Sequence, residues 1–518
     1  MEKTPQLTRK RKSRNITNYD PVKEYVHECG SSTFVGDEKN KAVCVATLAR
    51  RAAVEGDSPA SQQEGGFPTS TLLCLELQET LEAFWTTLIY RREKDMNQTA
   101  GDTELASICD RIWNLRFQMQ RLLVIACWML IIGTANGYKM KNRIPKNPEA
   151  RMNLSQTISY WGYPNEQYDI VTEDGYILDL YRIPHGKGCS EIAPHRPVVY
   201  LQHGLFASAF NWIANLPPNS LAYVLADAGC DVWLGNSRGS TWSRRHVSLS
   251  PDSEEFWAFS FDEMANYDLP ATIDFIVKKT RQKQLYYLGH SQGTTIAFVS
   301  FSTNPKLSQR IKMFFGLAPV ASVKHTKSPP KKLFPFLESL VKVLFNNKDM
   351  FSQTKFKQFL ATDICTLQIF HWLCKDIFLY MYGSDYRNLN ESRLDVYMAN
   401  FPAGASVQNL VHWGQLISSG QLQAFDWKNP ALNMEHYNQV TPPLYNVTLM
   451  KVPTLLWSGG EDTVADPLDV DSWLPNISNL IYHKRIPYYN HMDFYLGMDA
   501  PQQVFYELVS IIKKNMQT

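Results

Sequence analysis

The stretch Gly289-His290-Ser291-Gln292-Gly293 lies between two apolar runs of different character. Leu285-Tyr286-Tyr287-Leu288 precedes it and reads as a short buried strand; Thr294-Thr295-Ile296-Ala297-Phe298-Val299 follows and reads as the start of a buried helix. A serine on so abrupt a strand-to-helix turn is held with its hydroxyl exposed above the sheet, the arrangement called a nucleophile elbow. The glycines allow the tight turn and the close packing of its neighbours. A bare G-x-S-x-G is a weak pattern. The strand and helix around it are what set aside the bland alternative of a glycine-rich turn.

A serine hydroxyl is a poor nucleophile unless a base takes its proton and an acid orients that base. On this architecture the chain order is nucleophile, acid, base. Val452-Pro453-Thr454-Leu455-Leu456-Trp457 reads as a strand that runs through Ser458-Gly459-Gly460-Glu461 to Asp462. Asp462 therefore falls at the C-terminal end of a strand, where open α/β sheets collect their chemistry. Asp466, Asp469 and Asp471 follow and are alternatives, but none comes directly after the strand and its Gly-Gly turn. Among the 12 histidines, His491 is the candidate base, in a loop between Leu480-Ile481-Tyr482 and a last helical segment from Pro501 to Lys513. His483, inside the preceding strand-like run, is the weaker choice.

An oxyanion formed at the attacked carbonyl requires backbone donors. One is expected from the amide of Gln292. The other is expected from Leu205, because Pro197-Val198-Val199-Tyr200-Leu201-Gln202 reads as a strand that runs into His203-Gly204-Leu205.

These pieces occur in order with Ile158-Ser159-Tyr160-Trp161-Gly162-Tyr163-Pro164, Asp231-Val232-Trp233-Leu234-Gly235-Asn236-Ser237-Arg238-Gly239, Ala465-Asp466-Pro467 and Asn490-His491-Met492-Asp493-Phe494. In these stretches the chain resembles the acid lipase family, which includes gastric and lysosomal acid lipases, from about Met152 to Lys513. The resemblance implies an α/β-hydrolase fold, with a mostly parallel central sheet, helices on both faces and a mainly helical cap. It implies the same triad, Ser291, Asp462 and His491, and the same oxyanion donors, Leu205 and Gln292. It further implies a cap disulfide between Cys365 and Cys374, in keeping with an oxidising compartment. Cys230, beside a buried-looking strand, reads as an inert core thiol, and Cys189 is left open.

Strand-like and helix-like segments alternate along this region, as in a parallel sheet with helical crossovers. Strands are expected at Pro197–Gln202, Asp231–Leu234, Leu285–Leu288, Ile311–Leu317, Pro453–Trp457 and Leu480–Lys484. A hairpin is expected within Tyr168–Leu178, turning at Glu173-Asp174-Gly175-Tyr176. Asp268 and Pro270 are expected to open a helix that runs through Lys279. The hydrolase domain is assigned to residues 138–518, with a cap insertion at about 321–446, too long for a simple loop. Leu333–Phe345 and Ile369–Met381 are dense in Phe, Leu, Ile and Trp. They read as core-packed helices or as a lid over Ser291 that shields the reaction from water, its moving part near Ser352–Tyr382.

Upstream, Arg121, the apolar run Leu122–Ile132, and small residues at Ala135 and Gly137 have the pattern of a secretory signal peptide, assigned to 119–137. Met119 is then the expected initiator. Residues 1–118 are read as a disordered or artefactual upstream extension, and with them translated the apolar run becomes a signal-anchor. Sequons at Asn153, Asn390, Asn446 and Asn476 suit a secreted or endolysosomal glycoprotein; Asn15 and Asn97 also match.

A formal net charge of +2 gives no reason to expect nucleic acid, and no obligate protein partner is evident. The expected activity is hydrolysis of carboxylic esters of neutral lipids, at an emulsion or membrane surface, with no metal or organic cofactor. The alternatives are an esterase for smaller soluble esters and a catalytically silent lipid-binding protein on the same scaffold.

Overall fold

The architecture was read from a computed structural model that describes residues 144–188, 195–328, 348–352, 354–383 and 387–517. The upstream extension, the signal segment, Cys189, Leu333–Phe345, Asn15 and Asn97 lie outside the described residues. The strands are β1 (Glu166–Val171), β2 (Tyr176–Ile183), β3 (Val198–Gln202), β4 (Asp231–Gly235), β5 (Arg245–His246), β6 (Leu285–His290) and β7 (Ile311–Leu317). They continue with β8 (Asp349–Met350), β9 (Ala405–Ser406), β10 (Thr454–Gly459) and β11 (Leu480–Ile486). The main sheet has the order β1-β2-β4-β3-β6-β7-β10-β11, with β5 pairing with β2. From β4 to β11 every neighbouring pair is parallel, and the antiparallel pairs gather at the β1 edge. This is the mostly parallel sheet of an α/β hydrolase.

Strands buried on both faces carry near-continuous apolar runs. β3, β4, β6 and β10 are buried at every position, and all four agree with the sequence expectation to within two residues at each end. The hairpin also forms, turning through Gly175 in a left-handed conformation (φ +94°).

The helices that matter below are α1 (Leu154–Tyr160), α2 (Leu269–Thr280), α3 (Gln292–Thr303), α4 (Gln368–Tyr382), α5 (Leu394–Asn400), α6 (Val407–Ser419), α7 (Pro467–Trp473) and α8 (Tyr506–Gln517). α2 covers the expected range, but Asp268 does not cap it. Helical backbone already runs from Phe261, with a wider turn at Met264–Asp268, and Asp268 is itself helical. Its carboxylate is taken instead by Arg238, at 2.7 Å from Nε, with the Arg238 amide also donating at 3.2 Å. A buried guanidinium offers a stronger partner than a helix terminus.

Between β7 and β10 the chain leaves the sheet and builds a cap from the β8–β9 pair, α4, α5, α6 and shorter turns. Cys365 and Cys374 are disulfide-bonded and tie the middle of α4 to the turn before it. α4 buries Phe378 (1% exposed) and Cys374 on one side. Its other side turns Trp372 (59%), Leu373, Ile377 and Tyr380 (67%) to solvent. Among the described residues no helix is long and apolar enough to cross a membrane.

α3 lies so close to β3 that only glycine fits at its second residue. A Cβ on Gly293 would stand 2.4 Å from the Gln202 carbonyl oxygen, a backbone atom with no room to retreat. Gly293→Ala is therefore expected to destabilise the domain by about 1–3 kcal/mol, the usual cost of overpacking, read as a lower thermal midpoint.

Candidate active site

Ser291 sits between the end of β6 and the start of α3 with φ 53° and ψ −123°, a backbone conformation unusual for a residue with a side chain. Gly289 permits the turn, because a Cβ there would stand 2.7 Å from the carbonyl of Gly293. The Ser291 hydroxyl is 2.7 Å from His491 Nε2. His491 Nδ1 is in turn 2.9 and 3.0 Å from the two carboxylate oxygens of Asp462. Asp462, in the loop after β10, also accepts the amides of Val464 (2.9 Å) and Ala465 (2.8 Å) through Oδ1, so the carboxylate cannot swing. The three expected residues are thus joined by hydrogen bonds, and Ser291 and His491 are both buried.

The other acids and the other histidine go elsewhere. Asp466 caps α7 through the Leu468 amide, Asp469 holds His325, Asp471 pairs with Arg485, and His483 bonds Ser458 on the neighbouring strand.

The His203-Gly204-Leu205 turn is pressed against the nucleophile. A Cβ on Gly204 would lie 2.7 Å from the Ser291 Cβ and 3.3 Å from its Oγ. Among the described residues neither the Leu205 amide nor the Gln292 amide donates to a protein acceptor, which leaves both for a developing oxyanion. The cap grips the next residue: the Phe206 carbonyl, in a left-handed backbone (φ 59°), accepts the Ala403 amide at 2.6 Å, and its ring meets Phe351 edge-on.

Three features of the site have no signal in a strand-and-motif reading. The first is the side chain of Gln292, whose Oε1 accepts from Asn409 Nδ2 (2.9 Å) and Trp413 Nε1 (2.6 Å), both on α6. These bonds fix Gln292 to the cap.

The second is a pair of buried neutral histidines. His203 Nε2 accepts the Ser237 amide (3.0 Å), so its hydrogen is on Nδ1, which donates to the Gly204 carbonyl (2.8 Å). Burial holds the pKa of His203 down to about 4. His290 Nε2 donates to the His491 carbonyl (2.9 Å), and burial, reinforced by the neighbouring His491, keeps its pKa well below the usual histidine range. The third is Asn490, whose Oδ1 accepts the His491 amide at 2.8 Å.

Beyond Gln292 lies a buried carboxyl cluster. Asp262 accepts the Phe425 amide (2.8 Å) and the Tyr445 hydroxyl (2.8 Å), beside Glu263 and 3.9 Å from His412. Burial lifts the pKa of Asp262 to about 7, against the two hydrogen bonds that lower it. Among the described residues no group of three or more His, Cys, Asp or Glu is placed to hold a metal ion.

The fold is that of an α/β hydrolase, and residues 197–497 match the family model described as alpha/beta hydrolase fold. Residues 154–216 match a second, the partial alpha/beta-hydrolase lipase region. Lipase member K of Homo sapiens is 60% identical over 399 residues, covering 77% of this chain and 100% of that protein. Lipase member K of Mus musculus is 60% identical over 396 residues (76% and 99%), and gastric triacylglycerol lipase of Homo sapiens 58% over 397 (77% and 100%). The chain belongs to the acid lipase family of α/β hydrolases.

The buried groups oppose one another in their response to acid. A raised carboxyl such as Asp262 contributes stability that is present below its unfolded pKa and lost as pH rises through about 7. A depressed histidine such as His203 contributes stability present above its unfolded pKa and lost as pH falls towards about 4. Asp262→Asn removes the first contribution, together with the part of the Glu263 shift that Asp262 causes. Wild type is therefore expected to gain on this variant by roughly 1–3 kcal/mol between pH 7.5 and pH 4.5, measured as the difference in denaturant midpoints at each pH.

Proposed function

We propose that this chain is a serine lipase that hydrolyses carboxylic esters of neutral lipids, triacylglycerols or sterol esters, through an acyl-enzyme. The observation that carries the reading is the unbroken relay from Ser291 Oγ through His491 to Asp462, beside two unengaged amides. It stands in a chain 58% identical to a gastric triacylglycerol lipase.

In this mechanism His491 Nε2 takes the Ser291 proton as Oγ attacks the ester carbonyl. The amides of Leu205 and Gln292 hold the resulting oxyanion. Collapse breaks the bond to the alcohol, which leaves with the proton from His491. A water molecule, deprotonated by the same imidazole, then attacks the acyl-enzyme, releases the fatty acid and restores Ser291. Asp462 keeps the imidazole in the Nδ1–H tautomer throughout.

The outward face of α4 favours lipid esters over small soluble ones. Four large apolar side chains, Trp372, Leu373, Ile377 and Tyr380, stand in water on a helix whose C-terminal Gly383 abuts Asn490, an arrangement suited to contact with a lipid surface. The segment near Ser352–Tyr382 is the lid in this reading. A secreted or endolysosomal setting follows from the same likeness, with residues 119–137 as the signal and 1–118 as an upstream extension. Glycans would sit on Asn153, Asn390, Asn446 and Asn476. Asn153, Asn446 and Asn476 are exposed, and Asn390 and Asn446 each bond the hydroxyl of their own sequon.

The test is hydrolysis of emulsified trioleoylglycerol between about pH 4 and pH 8 by secreted wild type and Ser291→Ala. Activity in wild type that falls at least about 10³-fold in the variant is expected from loss of the nucleophile. Wild type that takes up a fluorophosphonate at Ser291 yet leaves the glyceride intact would sink the neutral-lipid assignment and favour the small-ester alternative.

A further inference from the structure

The C-terminal end of α4 reaches the catalytic loops. α4 stops at Gly383, which is left-handed (φ 59°) and returns its amide to the Leu379 carbonyl at 2.9 Å. Its own carbonyl accepts the amide of Met492, the residue after His491, at 3.3 Å. Gly383 also packs on Asn490. A Cβ there would meet Asn490 Oδ1 at 2.6 Å, and Asn490 Cγ and Thr463 Oγ1 at 3.1 Å.

Asn490 Oδ1 is a shared acceptor. It takes the His491 amide at 2.8 Å and the Thr463 amide at 3.4 Å. Thr463 directly follows Asp462, so one oxygen bridges the turn that carries the acid and the turn that carries the base. The Asn490 amide donates to Asp493 at 2.6 Å, which anchors the residue from its own backbone. His491 is thereby held at both ends of its peptide unit, its N–H by Asn490 and its carbonyl by His290.

We propose that Asn490 is a positioning residue that sets the His491–Asp462 alignment, and that its contact with Gly383 passes the position of α4 to that pair. The proposal rests on the reading of Ser291, His491 and Asp462 as a working triad. A shift of α4 moves Gly383 against or away from the oxygen that both turns share. The imidazole must stay within a few tenths of an ångström of its partners to accept and return the proton. The lid helix and the catalytic base therefore share one mechanical joint.

The experiment measures kcat and KM on a soluble short-chain p-nitrophenyl ester, with each preparation normalised to the sites a fluorophosphonate labels. A soluble substrate keeps binding to a lipid surface out of the readout. Asn490→Ala is expected to lower kcat by about 10- to 100-fold with little change in KM, as for a modest misplacement of a catalytic group.

Asn490→Asp restores the shared acceptor and is expected to recover most of kcat at high pH. Gly383→Ala is expected to lower kcat alone and to lower it by a smaller factor on top of Asn490→Ala, because its closest clash, 2.6 Å, is with Asn490 Oδ1, while the 3.1 Å approach to Thr463 Oγ1 and the left-handed backbone remain. Wild-type kcat per labelled site in Asn490→Ala would overturn the positioning role, and fully additive losses in the double variant would overturn the coupling to α4. A wild type that neither labels nor hydrolyses the ester would overturn the triad reading, and this proposal with it.

Discussion

Everything in the site depends on one strained residue. Ser291 holds a positive φ with a side chain attached, a conformation that costs of order 1–3 kcal/mol and persists only where the surroundings dictate it. Here they do so from three directions. β6 is locked between β3 and β7 by parallel pairing along its length, so the chain enters the turn on a fixed path. α3 leaves at once and is pressed onto β3 at Gly293. The Ser291 amide is taken by the Leu317 carbonyl at the end of β7 (3.1 Å), and its own carbonyl is taken by Thr294. Three glycines, 204, 289 and 293, stand where this crowding leaves no space for a Cβ. Strain at the nucleophile and close packing around it are two sides of one constraint.

That crowding also explains the acid-base character of the interior. With so little water admitted, burial lowers the pKa of His203 and His290 and raises that of Asp262. Neutral His203 can both accept from Ser237 and donate to Gly204. A protonated ring would lose the first bond and press an N–H against another, loosening the turn that carries Leu205. Because protonation is suppressed to about pH 4, the turn keeps its shape well into the acid range. The carboxyl cluster behind Gln292 gains stability over the same interval. The two trends offset each other, so the fold's net stability changes less with pH than either group alone would make it.

What was legible in the sequence was whatever a short window contains. β3, β4, β6, β7 and β10 are near-continuous apolar runs, and the loops after β3, β6 and β10 carry Leu205, Ser291 and Asp462 at their ends, so strand and site were read together. The Asp268 cap failed because the partner that decides its role, Arg238, lies thirty residues away and competes for the same carboxylate. The anchoring of Gln292 by Asn409 and Trp413 was out of reach for the same reason, since it joins residues separated by 117 and 121 positions. Asn490 stood in plain sight beside His491, yet nothing local shows that its oxygen serves two loops at once.

The cap is therefore more than a cover. It touches the chemistry at three points: α6 at the Gln292 side chain, Ala403 at the Phe206 carbonyl, and Gly383 at Asn490. These contacts differ in strength. The first is a pair of buried hydrogen bonds to one amide oxygen, the second a single backbone bond, and the third a glycine packed on a carboxamide with one longer bond of 3.3 Å beside it. Losing a buried bond strands polar atoms at a cost of about 1–3 kcal/mol each, whereas parting the glycine contact strands little. α4 keeps Phe378 and Cys374 in the core while its outer face carries Trp372, Leu373, Ile377 and Tyr380 in water, an arrangement suited to contact with an apolar surface. On the proposed lid reading, lifting α4 draws Gly383 away from Asn490, whereas α6 keeps its two bonds to the Gln292 side chain.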